Sequence, residues 1–202
     1  MENDKLRSGE ESLAIIQSMI NTAKSQIGHN GHLYLMWGWL VLGCSLLQFY
    51  LLNVVETPYH YTVWFLTWFA SVYQGIYSYR NRHKQKVKTY TDEILSYVWI
   101  VFVILMFMFG FMFGAILGNE YYKFINPGFL ALYGMPTFLS GIILKFRPLI
   151  IGAICCWVLA IVATFTPLKY NLLLLAAGVI CAWIIPGYLM RSKFRKQLLT
   201  VA

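Results

Sequence analysis

Hydroxyl, amide and phenol side chains recur at helical spacing inside long uncharged stretches of this 202-residue chain. Thr67, Ser71, Gln74 and Ser78 follow one another at intervals of 4, 3 and 4, which puts all four on one face of a helix. Tyr133, Thr137 and Ser140 repeat the pattern at 4 and 3, and Ser45 and Gln48 share a face at an interval of 3. Polar groups in lipid turn inward, toward other helices or water. The chemistry open to them is hydrogen bonding to an uncharged or amphiphilic molecule. The expectation is a polar pocket enclosed by the three helices that carry them, with Gln74 its strongest group. Pro136 cannot donate to the Leu132 carbonyl, which invites a kink beside such a pocket. The competing expectation is that the same groups bond from helix to helix, at about 0.6 kcal/mol each.

Other reactive types give less. Cys44, Cys155, Cys156 and Cys181 all fall in uncharged stretches, away from the oxidising aqueous face that disulfides need, and read as apolar core residues. His29 and His32 are three apart but flank Asn30-Gly31, a turn pair, so no metal site is expected from them. Glu56, His60 and Glu120 are the thin makings of a site on the outer face. No nucleotide loop, HExxH or GxSxG occurs, so no catalytic site and no cofactor is expected.

The elements that must position these groups are read from the gaps between charges. Of the chain, 59% is hydrophobic and only 12% charged, half the charge of an ordinary soluble domain. That excludes a water-soluble domain and intrinsic disorder, and four Cys are too few for a disulfide scaffold. Six uncharged windows, 25–55, 57–79, 94–119, 124–144, 148–168 and 170–190, contain at least 21 residues each. A bilayer core needs roughly 20 apolar residues, and only a helix satisfies its own backbone there. The fold class is therefore all-α: six transmembrane helices near 33–52, 61–79, 95–117, 127–144, 148–166 and 170–190. Asn126-Pro127 and Pro148 carry helix-opening chemistry for the fourth and fifth spans, and Asp92 and Glu93 suit the start of the third.

Orientation follows from the sixteen Lys and Arg. Lys5, Arg7 and Lys24 precede span one; Arg80, Arg82, Lys84, Lys86 and Lys88 separate spans two and three. Lys145 and Arg147 lie between spans four and five, and Arg191, Lys193, Arg195 and Lys196 follow span six. Only Lys123 and Lys169 fall on the other side. The positive-inside rule places the fourteen, and both termini, in the cytoplasm. There the loop 80–88 and the tail 191–202 meet anionic lipid headgroups, each cation attracted by about 1 kcal/mol. No fold-sized cytoplasmic segment remains to read nucleic acid.

Residues 1–31 form a cytoplasmic segment ahead of the bundle, 32–190. Ser8-Gly9-Glu10-Glu11 is a capping box. Leu13, Ile16, Ile20, Ala23 and Ile27 then make one apolar stripe, so a helix over 9–27 is expected to lie on the membrane, cover the bundle or dock a partner. The run from Glu11 through Leu13, Ile16, Gln17, Met19, Asn21 and Lys24, with Trp37-Gly38-Trp39, resembles an uncharacterised family of bacterial six-span membrane proteins. The resemblance implies a bacterial inner membrane and no particular chemistry.

Two further patterns bear on assembly. Gly110, Gly114 and Gly118 give overlapping GxxxG steps, a face for close helix packing within the bundle or between copies. Gly75, Gly141 and Gly187 end spans two, four and six alike, and Gly38 and Gly152 recur early in spans one and five, as three tandem hairpins would require. The functional expectation is a membrane-embedded binding, regulatory or scaffold protein. A small permease for an uncharged or amphiphilic solute is the alternative.

Overall fold

The computed structural model describes residues 31–82 and 90–199, and they are helical apart from short links. The elements are α1 (Gly31–Asn53), α2 (Phe65–Arg82, entered through a 3-10 turn at His60–Trp64), α3 (Tyr90–Leu117), α4 (Tyr121–Ile143), α5 (Arg147–Thr164), α6 (Leu168–Val179) and α7 (Ile185–Leu199). A π-helical turn, Ile180–Ile184, joins α6 and α7 into one rod. Six rods therefore occupy the six uncharged windows. Four stretches among the described residues are long and apolar enough to cross a membrane: Gly31–Asn53, Glu93–Leu117, Arg147–Thr164 and Leu168–Lys193. α2 and α4, which carry the polar stripes, fall outside that set.

Successive rods run antiparallel. Trp37 of α1 bonds Gln74 of α2, and His32 meets the Tyr77 ring at 5.6 Å. Across α3 and α4, Phe102 meets Tyr133 and Phe109 meets Phe129. Trp157 of α5 donates to the Ala131 carbonyl of α4 at 3.1 Å, and the Cys156 thiol reaches the Gly178 carbonyl of α6 at 3.5 Å. α1 closes the circle against the α6–α7 rod, with Gly38 beside Ile184 of the π-helical turn and Gly31 beside Met190 of α7. These registers gather Arg80, the Lys145–Arg147 link and Arg191, Lys193 and Arg195 at one end of the bundle. Glu56, Glu120, Lys123 and Lys169 lie at the other.

The core sits between α1, α4, α5 and the α6–α7 rod, where Leu130, Leu149, Cys156, Leu175, Val179 and Met190 are fully buried. Small residues make this possible. A Cβ at Gly152 would come within 2.7 Å of the Ala182 backbone, and one at Gly38 within 3.4 Å of the Trp183 side chain. α5 and α1 thus grip the same π-helical turn from two sides. Pro186 follows that turn directly; it has no N–H for the Ala182 carbonyl and its ring would crowd that oxygen, a conflict that a widened turn relieves.

Three local expectations change. α4 begins at Tyr121, not at Asn126-Pro127, so Pro127 lies within the helix; Glu120 and Lys123, an ion pair at its start, and the apolar Phe124 and Ile125 extend the helix toward the chain's amino terminus. Gly31, read as part of a turn, is helical and buried, because its missing side chain lets α1 approach α7. The hairpin-ending glycines are not equivalent: Gly141 and Gly187 pack against Ile150 and Leu35, while Gly75 has no atom within 4 Å of a built Cβ.

Candidate functional site

The polar residues singled out by spacing separate into two groups. Tyr133, Thr137 and Ser140 are all buried on the inner face of α4, as their spacing requires. Thr137 donates to the Tyr133 carbonyl at 2.8 Å and accepts from the Trp183 indole N–H at 3.0 Å. Its one hydroxyl therefore ties α4 to the π-helical turn. The Tyr133 and Trp183 rings lie 4.8 Å apart, and Trp99 of α3 meets Trp183 at 6.3 Å and Tyr34 of α1 at 5.7 Å. Beneath this aromatic layer the Tyr34 hydroxyl approaches Ser140 and Trp99 without reaching hydrogen-bond geometry with either.

The second group fills the seam between α1 and α2. Gln48 accepts from the Trp64 indole at 2.7 Å and its amide nitrogen contacts the His60 ring at 3.1 Å. Gln74 accepts from the Trp37 indole. Thr67 bonds the Trp64 carbonyl at 2.6 Å, and Ser71 bonds the Thr67 carbonyl at 2.8 Å. Ser71 is exposed and Ser78 half-buried. Ser45 turns the other way and donates to the Leu172 carbonyl of α6 at 2.6 Å. Asn171, next to that carbonyl, is buried with its side-chain oxygen unpartnered.

The structure thus seats Gln48 and Gln74 at separate points of the α1–α2 seam, leaves Thr67 bonded within its own segment, and brings Tyr133, Thr137 and Ser140 together on the buried face of α4. Neither set lines either of two grooves on the bundle surface. One, about 330 Å³, is walled by α3 and α4 residues such as Val98, Val101 and Leu132; the other, about 310 Å³, by Ile151, Cys155, Ile185 and Leu189 of α5 and α7. Both are apolar.

Sequence reasoning missed the donors. Trp37, Trp64, Trp157 and Trp183 each donate an indole N–H to a helix other than their own. A buried Trp has one N–H to satisfy, and that rule says that each needs an acceptor without saying which. Tyr34 and Asn171 were missed because neither falls in the polar stripes picked out by helical spacing.

Arg80, Arg191, Lys193 and Arg195 are exposed at the basic end, and the Lys193 ammonium lies 5.7 Å from the Phe146 ring centroid. Arg82 and Lys196 lie on α2 and α7 at that end; Lys84, Lys86, Lys88 and the helix expected over 9–27 lie outside the described residues. Gly114 and Gly118 have no atom within 4 Å of a built Cβ, and Gly110 only the Tyr121 hydroxyl at 3.8 Å, so among the described residues no other helix packs closely on Gly114 or Gly118. The cysteines are free. Among the described residues no three His, Cys, Asp or Glu side chains converge as metal ligands. Glu120 pairs with Lys123 and His60 with Gln48.

Comparison with protein-family models, with curated proteins and with solved structures found no match for this chain. The reading of its function therefore rests on the geometry of the helix seams.

Proposed function

We propose that the protein is a six-span protein of a bacterial inner membrane that works by binding, as a scaffold or regulatory component, without catalysis. The observation that carries this reading is that Gln74, Gln48, Ser45 and Thr137 of its polar stripes are occupied in joining helices: Trp37 to Gln74, Trp64 to Gln48, Ser45 to Leu172 and Trp183 to Thr137. Side chains committed in this way hold an architecture together. α2 and α4 complete the six spans because α1, α3 and α5 point the same way, so the chain has to return across the membrane between them. With fourteen of sixteen cations assigned to one end by sequence, that end and both termini are cytoplasmic. Cysteines placed at Lys84 and Ser192 will then react only from the cytoplasm, and those at Glu56 and Glu120 only from outside. Labelling of position 84 by an impermeant external reagent overturns the orientation.

The binding faces this reading offers are the amino-terminal stripe and α3. A photo-crosslinker in place of Ile20 or Ile116, activated in cells, should yield a discrete protein adduct at one of them at least. Lipid adducts alone at both positions would remove the scaffold reading. The permease reading draws on a different observation, the buried and unpartnered Tyr34 hydroxyl, Ser140 hydroxyl and Asn171 oxygen, which are groups that a small polar solute would satisfy.

A further inference from the structure

We propose that the groove between α5 and α7 holds one acyl chain of an anionic phospholipid, with its phosphate between Arg147 and Lys193. The proposal deepens the membrane reading above and rests on it. The shape comes from Gly152, where α5 touches the π-helical turn at Ala182. From that crossing the two helices leave a cleft of about 310 Å³ that runs toward the basic end. Its walls are apolar side chains open to the outside, Ile151 at 62%, Ile185 at 48% and Leu189 at 46% exposure. From Cys181 to Leu189 the cleft extends about 12 Å at 1.5 Å per residue, enough to seat the upper part of an acyl chain.

Among the described residues the charge at its mouth is of one sign. Arg147 opens α5 beside the cleft, and Lys193 stands one turn beyond Leu189, its ammonium 5.7 Å from the ring of Phe146, the neighbour of Arg147. Both are exposed. No Asp or Glu follows Glu120 in the sequence, and the first turn of α5 carries no acid. Among the described residues the one ion pair, Glu120 with Lys123, is at the opposite end of the bundle. A cleft that accepts a chain and ends in two cations suits a phosphate carried on that chain, and a choline headgroup would meet those cations with its own positive charge.

The test uses the full-length protein in nanodiscs, released into the gas phase for native mass spectrometry with palmitoyl-oleoyl phosphatidylglycerol or the matching phosphatidylcholine. The wild type should retain phosphatidylglycerol about 30-fold better, as two surface cations imply. Arg147→Gln with Lys193→Gln should abolish that preference. Ile185→Trp, which fills the cleft, should lower retention of both lipids. Lys123→Gln with Lys169→Gln removes the same charge at the other end and should change nothing. Equal retention of the two lipids by the wild type overturns the site, as does an equal loss in the Lys123 and Lys169 variant. Displacement by glycerol phosphate alone would reduce it to a simple anion site and also overturns it. A protein that never enters the nanodisc would sink the membrane reading itself, whereas entry without lipid preference sinks only the cleft.

Discussion

α3 and the α6–α7 rod are both apolar enough to cross a membrane, yet the structure treats them in opposite ways. Glu93–Leu117 is the more apolar, and none of its most apolar stretch is buried; over half of the corresponding stretch of Leu168–Lys193 is. α3 is built from Phe, Met, Ile and Val on every side, and its exposed Phe107, Phe111 and Ile116 have no polar reason to turn inward. The rod carries Gly178, Ala182 and Gly187 among its larger residues, and neighbouring helices settle into those gaps. Within lipid, apolarity does not drive one helix onto another, because the solvent is as apolar as the side chains. Close approach and hydrogen bonds do. Of the four helices with a membrane signal, the one with the strongest is therefore the least buried.

The comparison breaks most visibly at glycine. Gly152→Val puts branched carbon against the Cys181 and Ala182 backbone, which cannot move aside as a side chain can. Overpacking of this kind costs about 1–3 kcal/mol, occasionally more, and here it should fall at the upper end or prevent folding. Gly114→Val on α3 meets nothing within 4 Å and should leave stability within about 0.5 kcal/mol, as surface substitutions do. Unfolding followed by circular dichroism in mixed micelles compares the two. A Gly114 variant that loses as much as the Gly152 variant would show that α3 is packed as tightly as the rod, against a second copy of the chain if its loss depends on protein concentration.

The positions of the six rods were legible in the sequence because each lies largely within an uncharged window, though only four of them are long and apolar enough to cross a membrane. Pro148 at the start of α5 was legible for a local reason, its fixed φ and missing N–H. Less visible was which polar groups would meet. The spacing of Tyr133, Thr137 and Ser140 correctly puts them on one buried face, but nothing local to α4 says that Trp183, 46 residues on, supplies the donor. The division of the stripes between the α1–α2 seam and the α4 interior is likewise a matter of tertiary packing. Nor does periodicity foretell the π-helical turn, which depends on Pro186 and on two helices closing around it. Asn126-Pro127 shows the limit of a local rule: its opening chemistry is real, but the helix had already begun.

The smallest expected effects separate the same two regions by their hydrogen bonds. Thr137→Val removes the acceptor for the Trp183 N–H inside the packed half, where the donor is buried and has nowhere else to turn. A buried group left unsatisfied costs about 1–3 kcal/mol. Gln74→Leu removes the acceptor for Trp37 in the α1–α2 seam, where both partners are only half-buried. The loss there should be near the membrane average of about 0.6 kcal/mol, since a half-buried indole finds water or a neighbouring carbonyl. The two variants are compared by the same unfolding measurement, with near-ultraviolet circular dichroism to verify native packing. An equal loss in both would mean that α2 is held as firmly as the rod. The scaffold reading expects the Gln74 variant to keep its crosslinked partner. If that variant stays folded but loses uptake of a neutral solute in proteoliposomes, the seam is a transport pathway and the permease reading takes its place.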